Sequence, residues 1–188
     1  MRERPAPELA PAVIEQAKQG SQAAFAEIVR HYDPGLRALA FRLLGDRERM
    51  DDALQEAYVK AFRALPSFRG DSKLGTWLYR IAYNACLDEL EASRRVVRLP
   101  LDGIGEQEDP RPGVVESVAG RNDLAAALDA LTPEDRAAVL MVDAQGFGYR
   151  DAAEALGVPE GTIGSRLNRA RAILREALAD TEEGVSGQ

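Results

Sequence analysis

The chain of 188 residues carries 31 acidic against 24 basic side chains, a net charge of −7. That balance argues against strong unaided binding to DNA, whose sequence-independent affinity comes from neutralising phosphates. One cysteine, Cys86, and one histidine, His31, exclude an internal disulfide and argue against a structural zinc site or a Ser-His-Asp apparatus. No cofactor, metal or catalytic residue is therefore expected.

Scarce aromatics, abundant Ala, Leu, Arg and Glu, and the lack of alternating β-branched runs predict an all-α chain. No apolar run approaches the length of a membrane span, and the opening MRERPAPELAP lacks the hydrophobic centre of a secretory signal. A cytoplasmic protein without membrane insertion is expected. Charge is unevenly spread: residues 1–98 hold sixteen basic against fourteen acidic side chains, residues 99–120 one against five, and residues 121–188 seven against twelve.

In chain order, residues 1–10 form a Pro/Ala-rich arm expected to be disordered. Val13, Ile14 and Ala17 then supply the apolar side of a first helix, which Gly20 stops. Ser21 caps the next, whose Phe25, Ile28 and Val29 are expected to face inward. His31 and Tyr32 are placed at an interhelix corner near Asp33 and Pro34. Leu36, Leu39, Ala40, Leu43 and Leu44 continue the helical pattern to Gly45, and Asp46 caps the segment that follows.

That segment, from Asp51 to Asn84, organises the first half. Ala53, Leu54, Ala57, Ala61 and Leu65 recur at three- and four-residue steps, leaving Asp51, Asp52, Gln55, Glu56 and Lys60 as a polar ridge. Pro66 ends the helix near Leu65, and a loop bearing Phe68, Arg69 and Lys73 follows. Leu74, Trp77, Leu78, Ile81, Ala82 and Ala85 form a second stripe, with Thr76, Arg80, Asn84 and Asp88 on the opposite face. Trp77 lies on the stripe and reads first as core.

Past Arg95 the periodicity ends, and residues 99–120 read as an acidic, Gly/Pro-rich flexible linker between two small helical domains, 11–98 and 121–180. In the second, Thr132-Pro133-Glu134-Asp135 is a strong helix start, with Val139, Leu140 and Val142 as its core face. Tyr149 to Leu156, the turn Gly157-Val158-Pro159 and a longer helix from Glu160 or Gly161 make a helix-turn-helix. Ile163, Leu167, Ala170, Leu174 and Leu178 are its expected buried stripe. Gly164, Ser165, Arg166, Asn168, Arg169, Arg171 and Arg175 are left for solvent or DNA. Residues 181–188 are expected to be a disordered tail.

The block DDALQEAY…AF…FRGDSKLGTWLYRIAYN and the block LTPEDRAAVLMVDAQGFGYRDAAEALGVPEGTIGSRLNRARAILREAL together resemble the two domains of an extracytoplasmic-function sigma factor of bacterial RNA polymerase. The resemblance implies that region 2 binds the polymerase clamp and captures a melted minus-10 element, that region 4 reads the minus-35 duplex, and that the linker runs through the polymerase interior. It puts Asp52, Gln55 and Glu56 on core polymerase. Phe68, Arg69, Lys73, Arg80, Asn84 and Asp88 fall on the minus-10 strand, and Thr162, Ser165, Arg166, Asn168, Arg169 and Arg171 on the minus-35 duplex. Within the last set Arg169 is expected to read a base and Arg171 a phosphate. Gly164 stands where a basic residue is often found and Asn168 where an aromatic or His is common, so an altered minus-35 preference is implied. The implied partners are core RNA polymerase, promoter DNA and an anti-sigma factor, in a stress response. A conventional helix-turn-helix regulator that binds duplex DNA without polymerase is the competing reading.

Overall fold

Three of the helices start on a single polar residue. Ser21 Oγ accepts from Ala24 N–H at 3.3 Å, Asp46 Oδ1 from Arg49 N–H at 2.8 Å, and Thr132 Oγ1 from Asp135 N–H at 3.2 Å, each satisfying a first-turn donor. Between these starts, the computed structural model, which describes residues 9–98 and 121–185, contains only helices and turns among those residues. They are α1 (Pro11–Lys18), α2 (Gln22–Leu44), α3 (Arg47–Ala64), α4 (Leu74–Arg98), α5 (Arg121–Asp129), α6 (Pro133–Val139), α7 (Tyr149–Leu156) and α8 (Glu160–Val185). A 3-10 turn, Leu65–Ser67, ends α3 at the predicted proline, and a π-turn, Leu140–Ala144, prolongs α6. The expected arm (1–8 of it), the linker and residues 186–188 lie outside the described residues.

The predicted corner at Pro34 is not there. α2 runs through it as one 23-residue helix. Proline removes one ladder hydrogen bond and costs about 3 kcal/mol in a helix interior. Ile28, Leu36 and Leu39, all at most 1% exposed, lie on both sides of it, and each fully buried aliphatic side chain contributes about 1.5–3 kcal/mol, so burial outweighs the break. Asp33 ties the same turn to α3, accepting from Tyr58 Oη at 2.7 Å and from Arg37 Nε at 3.0 Å. Gly35 follows because α4 crosses there: a Cβ at this position would stand 2.0 Å from Tyr79 Oη.

Other expectations are adjusted at the edges. Ile28 is buried, but Phe25 and Val29 are half-buried and line an open groove. Val142 is half-buried too. Thr76, assigned to the outer face of α4, is 2% exposed. On α8 the stripe Ile163, Leu167 and Ala170 is fully buried, whereas Leu174 is half-buried and Leu178 36% exposed. α8 itself continues to Val185, five residues beyond the boundary placed at 180.

The two predicted domains share one hydrophobic core. Leu36, Leu39, Leu43, Tyr79, Ala82 and Cys86 belong to the same buried cluster as Leu140, Met141, Ala152, Leu156 and Ile163. A second cluster of Ala17, Ile28, Leu65, Leu74 and Leu78 joins α1 to the first domain. Polar bridges cross between the domains. Arg136, 6% exposed, donates through Nη1 to Arg42 O on α2 at 2.8 Å and through Nη2 to Asp129 O at 3.0 Å. Gln145 Nε2 donates to Gly35 O at 2.9 Å, and the Tyr79 and Phe147 rings stand 4.8 Å apart.

Two glycines test this packing in opposite directions. Gly35→Ala collides with Tyr79 and should lower stability by about 1–3 kcal/mol, the ordinary cost of overpacking. Gly164→Ala, with nothing within 4 Å of the added carbon, should raise it by about 0.8–1 kcal/mol through helix propensity. Urea midpoints of the two variants check both signs.

Candidate nucleic-acid interfaces

Three exposed regions hold the residues singled out by the sequence. On α3 the buried stripe Ala53, Leu54, Ala57 and Ala61 fixes the helix phase, and Asp52, Gln55 and Glu56 emerge together on the solvent side. Glu56 holds Lys60 at 2.8 Å one turn on, and Asp51 holds Arg37 Nη1 at 2.6 Å. These exposed pairs are worth little in stability. Beside the ridge lies a feature that helical periodicity alone did not reveal. A groove of about 910 Å³ between α2 and α3 is lined by Phe25, Val29, Leu54, Tyr58, Val59 and Phe62. Val59 is 43% exposed. The signal was present in the sequence as Tyr58, Val59 and Phe62 flanking the stripe.

The second region is the loop between α3 and α4. Phe68 is half-buried with its ring 5.2 Å from that of Trp77, so Trp77 is a half-buried wall rather than pure core. Arg69 is exposed, its Nε 3.1 Å from Asp71 Oδ2. Gly70 takes φ +80°, a left-handed turn that glycine adopts without strain. Together with Arg80 these residues border an open cavity of about 250 Å³, with Glu154 of α7 also in its lining. Arg80, Asn84 and Asp88 are exposed at four-residue steps along one edge of α4. Lys60 reaches Asp88 at 3.4 Å, and Lys73 Nζ is 2.7 Å from Asp151 Oδ2.

The third region is the first half of α8. Ser165 and Asn168 are exposed, Thr162 and Arg166 half-buried, and Ser165 Oγ donates to Thr162 O at 2.9 Å. Arg166 lies against Tyr83 of α4, whose hydroxyl burial pushes up to about 12. Arg169 departs from expectation. Its Nε and Nη2 both donate to Asp135 at 2.6 Å, and Asp135 is 1% exposed. The parallel donors that a two-point base contact would use are thus engaged by Asp135, while the Arg169 side chain itself stays exposed. Arg171 forms a similar fork on Asp143, at 3.0 and 2.7 Å, which raises its pKa further. Asp135 read in the sequence only as first-turn acid; nothing in the local pattern announced its arginine partner 34 residues on.

Among the described residues no three His, Cys, Asp or Glu side chains gather to hold a metal ion, and no helix is long and apolar enough to cross a membrane. Cys86 is buried and its thiol is pushed up to about 12 by that burial, far from nucleophilic poise.

Two family models match the chain. Residues 28–96 match the family model for Sigma-70 region 2, and residues 121–174 that for Sigma-70, region 4. The chain is 39% identical over 167 residues to the ECF RNA polymerase sigma factor SigM of Mycobacterium tuberculosis, covering 89% of this chain and 83% of the relative. It is 32% identical over 170 residues to the ECF RNA polymerase sigma-E factor of Escherichia coli, covering 85% and 88%. Among solved structures, the sigma factor RpoE in complex with the anti-sigma factor NepR from Bartonella quintana superposes with a TM-score of 0.68 at 32% identity, covering 82% of this chain and 96% of that one.

The Arg169–Asp135 fork has a pH signature. Chiefly through the Arg169 hydrogen bonds, the Asp135 carboxyl is held below the usual carboxylate range. Its contribution to stability is therefore complete above the unfolded carboxylate pKa and is lost as pH falls through the lower folded value. Asp135→Asn should cost about 1–3 kcal/mol at neutral pH and flatten the acid limb of stability against pH. Arg169→Ala should shift that limb to higher pH. Urea titrations between neutrality and strong acid measure both.

Proposed function

The chain belongs to the extracytoplasmic-function family of RNA polymerase sigma factors, and from that premise we propose how its own residues share the work. As a member it is an initiation factor that binds core RNA polymerase, takes it to specific promoters and starts transcription. The residue assignments that follow are our reading. They divide the chain as the sequence does, with 11–98 holding polymerase and the minus-10 strand, 121–180 the minus-35 duplex, and 99–120 joining them. No chemical step is assigned to the chain itself, and the cytoplasm is its proposed place of action.

Asp52, Gln55 and Glu56 are proposed to meet the polymerase clamp, with the neighbouring apolar groove receiving a side chain from the same partner. Charged ridges steer encounter and fix register, while desolvated apolar contacts supply much of the affinity. The single observation that best supports strand capture is the open cavity where Phe68, Trp77, Arg69 and Arg80 converge beside exposed Asn84. Extruding a base costs a few kcal/mol. Stacking on an aromatic or guanidinium plane returns ~1–3 kcal/mol per base, so a pocket of this composition brings strand opening within reach of binding energy alone. Lys73 and the Arg80–Asn84–Asp88 edge are proposed to guide the backbone past it.

On α8 the assignment shifts from the one drawn from sequence. Ser165 and Asn168, exposed near the helix N-terminus, are proposed as base readers, with Thr162 beside them and Arg166 joining once it leaves Tyr83. Arg169 and Arg171, forked on Asp135 and Asp143, are proposed to act through their remaining donors and positive field on phosphate. The Bartonella relative was solved with an anti-sigma factor; a protein of that kind is proposed as the partner that holds this chain inactive.

Replacing Asp52, Gln55 and Glu56 together by Ala should abolish retention on immobilised core polymerase while leaving stability within about 0.5 kcal/mol, as for other exposed positions. Wild-type retention of the triple variant would remove the clamp assignment. Arg69→Ala or Asn84→Ala should reduce permanganate-detected melting more than closed-complex formation, and a pre-melted bubble template should restore much of the loss. Equal defects on duplex and bubble would show that the loop is not where the strand is caught.

A further inference from the structure

The arginines of α8 are committed elsewhere and leave one unengaged amide on its exposed face. Arg169 gives Nε and Nη2 to Asp135, and Arg171 gives Nε and Nη2 to Asp143. Arg166 is half-buried against Tyr83, and Ser165 Oγ donates to Thr162 O. Asn168 is exposed, and no hydrogen bond among the described residues engages its side chain. The space ahead of it is open as well. Side chains on a helix lean back over the preceding turn, so the Asn168 amide stands over Ser165 and Gly164, three and four residues earlier. Ser165 is short, and a Cβ at Gly164 would meet nothing within 4 Å. The nearby guanidinium groups of Arg169 and Arg171 are held by carboxylates on α6 and on the π-turn after it, so they do not compete for the amide oxygen.

We infer that Asn168 is the base-specifying residue of this helix and that the base it takes is adenine, read on its major-groove edge. The inference rests on the reading of α8 as the minus-35 helix and adds which base is chosen and by which atoms. A carboxamide offers an acceptor and donors side by side. Adenine alone presents the complementary pair in the major groove, so Asn168 Nδ2–H meets N7 while Oδ1 accepts from the N6 amino group. Guanine offers two acceptors, and its O6 would face the Asn168 oxygen. Thymine offers an acceptor beside a methyl group and cytosine a donor only, so each leaves half of the amide unmatched. The Ser165 hydroxyl can both donate and accept, which lets it touch any of these edges without choosing between them. The forked arginines are left for phosphates, whose contacts fix register and carry no sequence information. Selectivity on this part of the helix therefore concentrates on one A·T pair.

The test uses holoenzyme assembled from the full chain and core RNA polymerase, selecting from a promoter pool randomised over the minus-35 region. Wild-type holoenzyme should show one position where adenine is preferred over every other base by at least about fivefold, the lower end of what a two-point contact discriminates. Asn168→Ala should erase the preference at that position and leave the others as they were. Asn168→Asp, which lacks the donor, should move it from adenine to cytosine, whose N4 amino group suits a carboxylate. An Asn168→Ala holoenzyme that keeps the wild-type preference at every position overturns the inference, as does loss of a preference for any base other than adenine. The atoms are tested with 7-deazaadenine at the selected position, which removes the N7 acceptor. It should weaken wild-type binding about two- to tenfold, the range of one hydrogen bond, and leave Asn168→Ala binding unchanged. An equal effect on both proteins, or on neither, overturns the two-point contact. The parent reading is judged by replacing Thr162, Ser165 and Asn168 together by Ala. If that variant still selects the wild-type minus-35 sequences, α8 does not read the duplex and both readings fall; if it loses a selection that Asn168→Ala keeps, α8 reads through other residues and only the adenine assignment falls.

Discussion

α4 has to satisfy two hydrophobic partners at once, and the rest of the structure follows from that constraint. Its first turns give Leu74 and Leu78 to the cluster with α1 and α2, and its middle gives Tyr79, Ala82, Tyr83, Ala85 and Cys86 to the core shared with the second domain. A helix buried on so much of its circumference keeps only a narrow polar edge. On α4 that edge is Arg80, Asn84 and Asp88. The same double burial explains the bare backbone at its crossings, since Gly35 admits Tyr79 and Gly75 lies where a Cβ would stand 2.9 Å from the Tyr32 ring.

Local chemistry made most helices legible in the sequence. Caps at Ser21, Asp46 and Thr132, the stop at Pro66 and the turn at Gly157 all lie where single-residue rules put them. Pro34 misled because a local rule met a long-range one: the burial of Leu36 and Leu39 against other helices is invisible from residues 30–36 alone. The ridge and the loop were legible because exposure follows directly from periodicity. What each arginine of α8 does was not. Arg166, Arg169 and Arg171 look alike in the sequence, yet one leans on Tyr83, one forks on a buried Asp135 and one on a half-exposed Asp143. Periodicity gives the direction of a side chain; the identity of its partner depends on how helices distant in sequence are brought together.

The acidic balance of the chain takes on a definite meaning in the structure. Much of the basic charge proposed to meet DNA is already matched internally, Lys73 by Asp151, Arg169 by Asp135 and Arg171 by Asp143. A protein arranged this way has a weak field for nonspecific phosphates, which favours meeting polymerase before promoter. The residues proposed to face DNA would become useful in the company of a larger partner that fixes where they stand.

Gly164 has a consequence for how such a protein can change. It sits on α8 between buried Ile163 and exposed Ser165, with open space where a side chain would begin. Ile163, Leu167 and Ala170 on this helix are committed to the core and Arg169 and Arg171 to ion pairs, so altering them would disturb the fold. Position 164 is different. An added Cβ there would meet no neighbour, and on the DNA-reading role proposed for this helix a longer side chain would extend its reach toward a groove, making it a place where a descendant could acquire a new promoter preference in one mutational step while the ancestral scaffold stays intact.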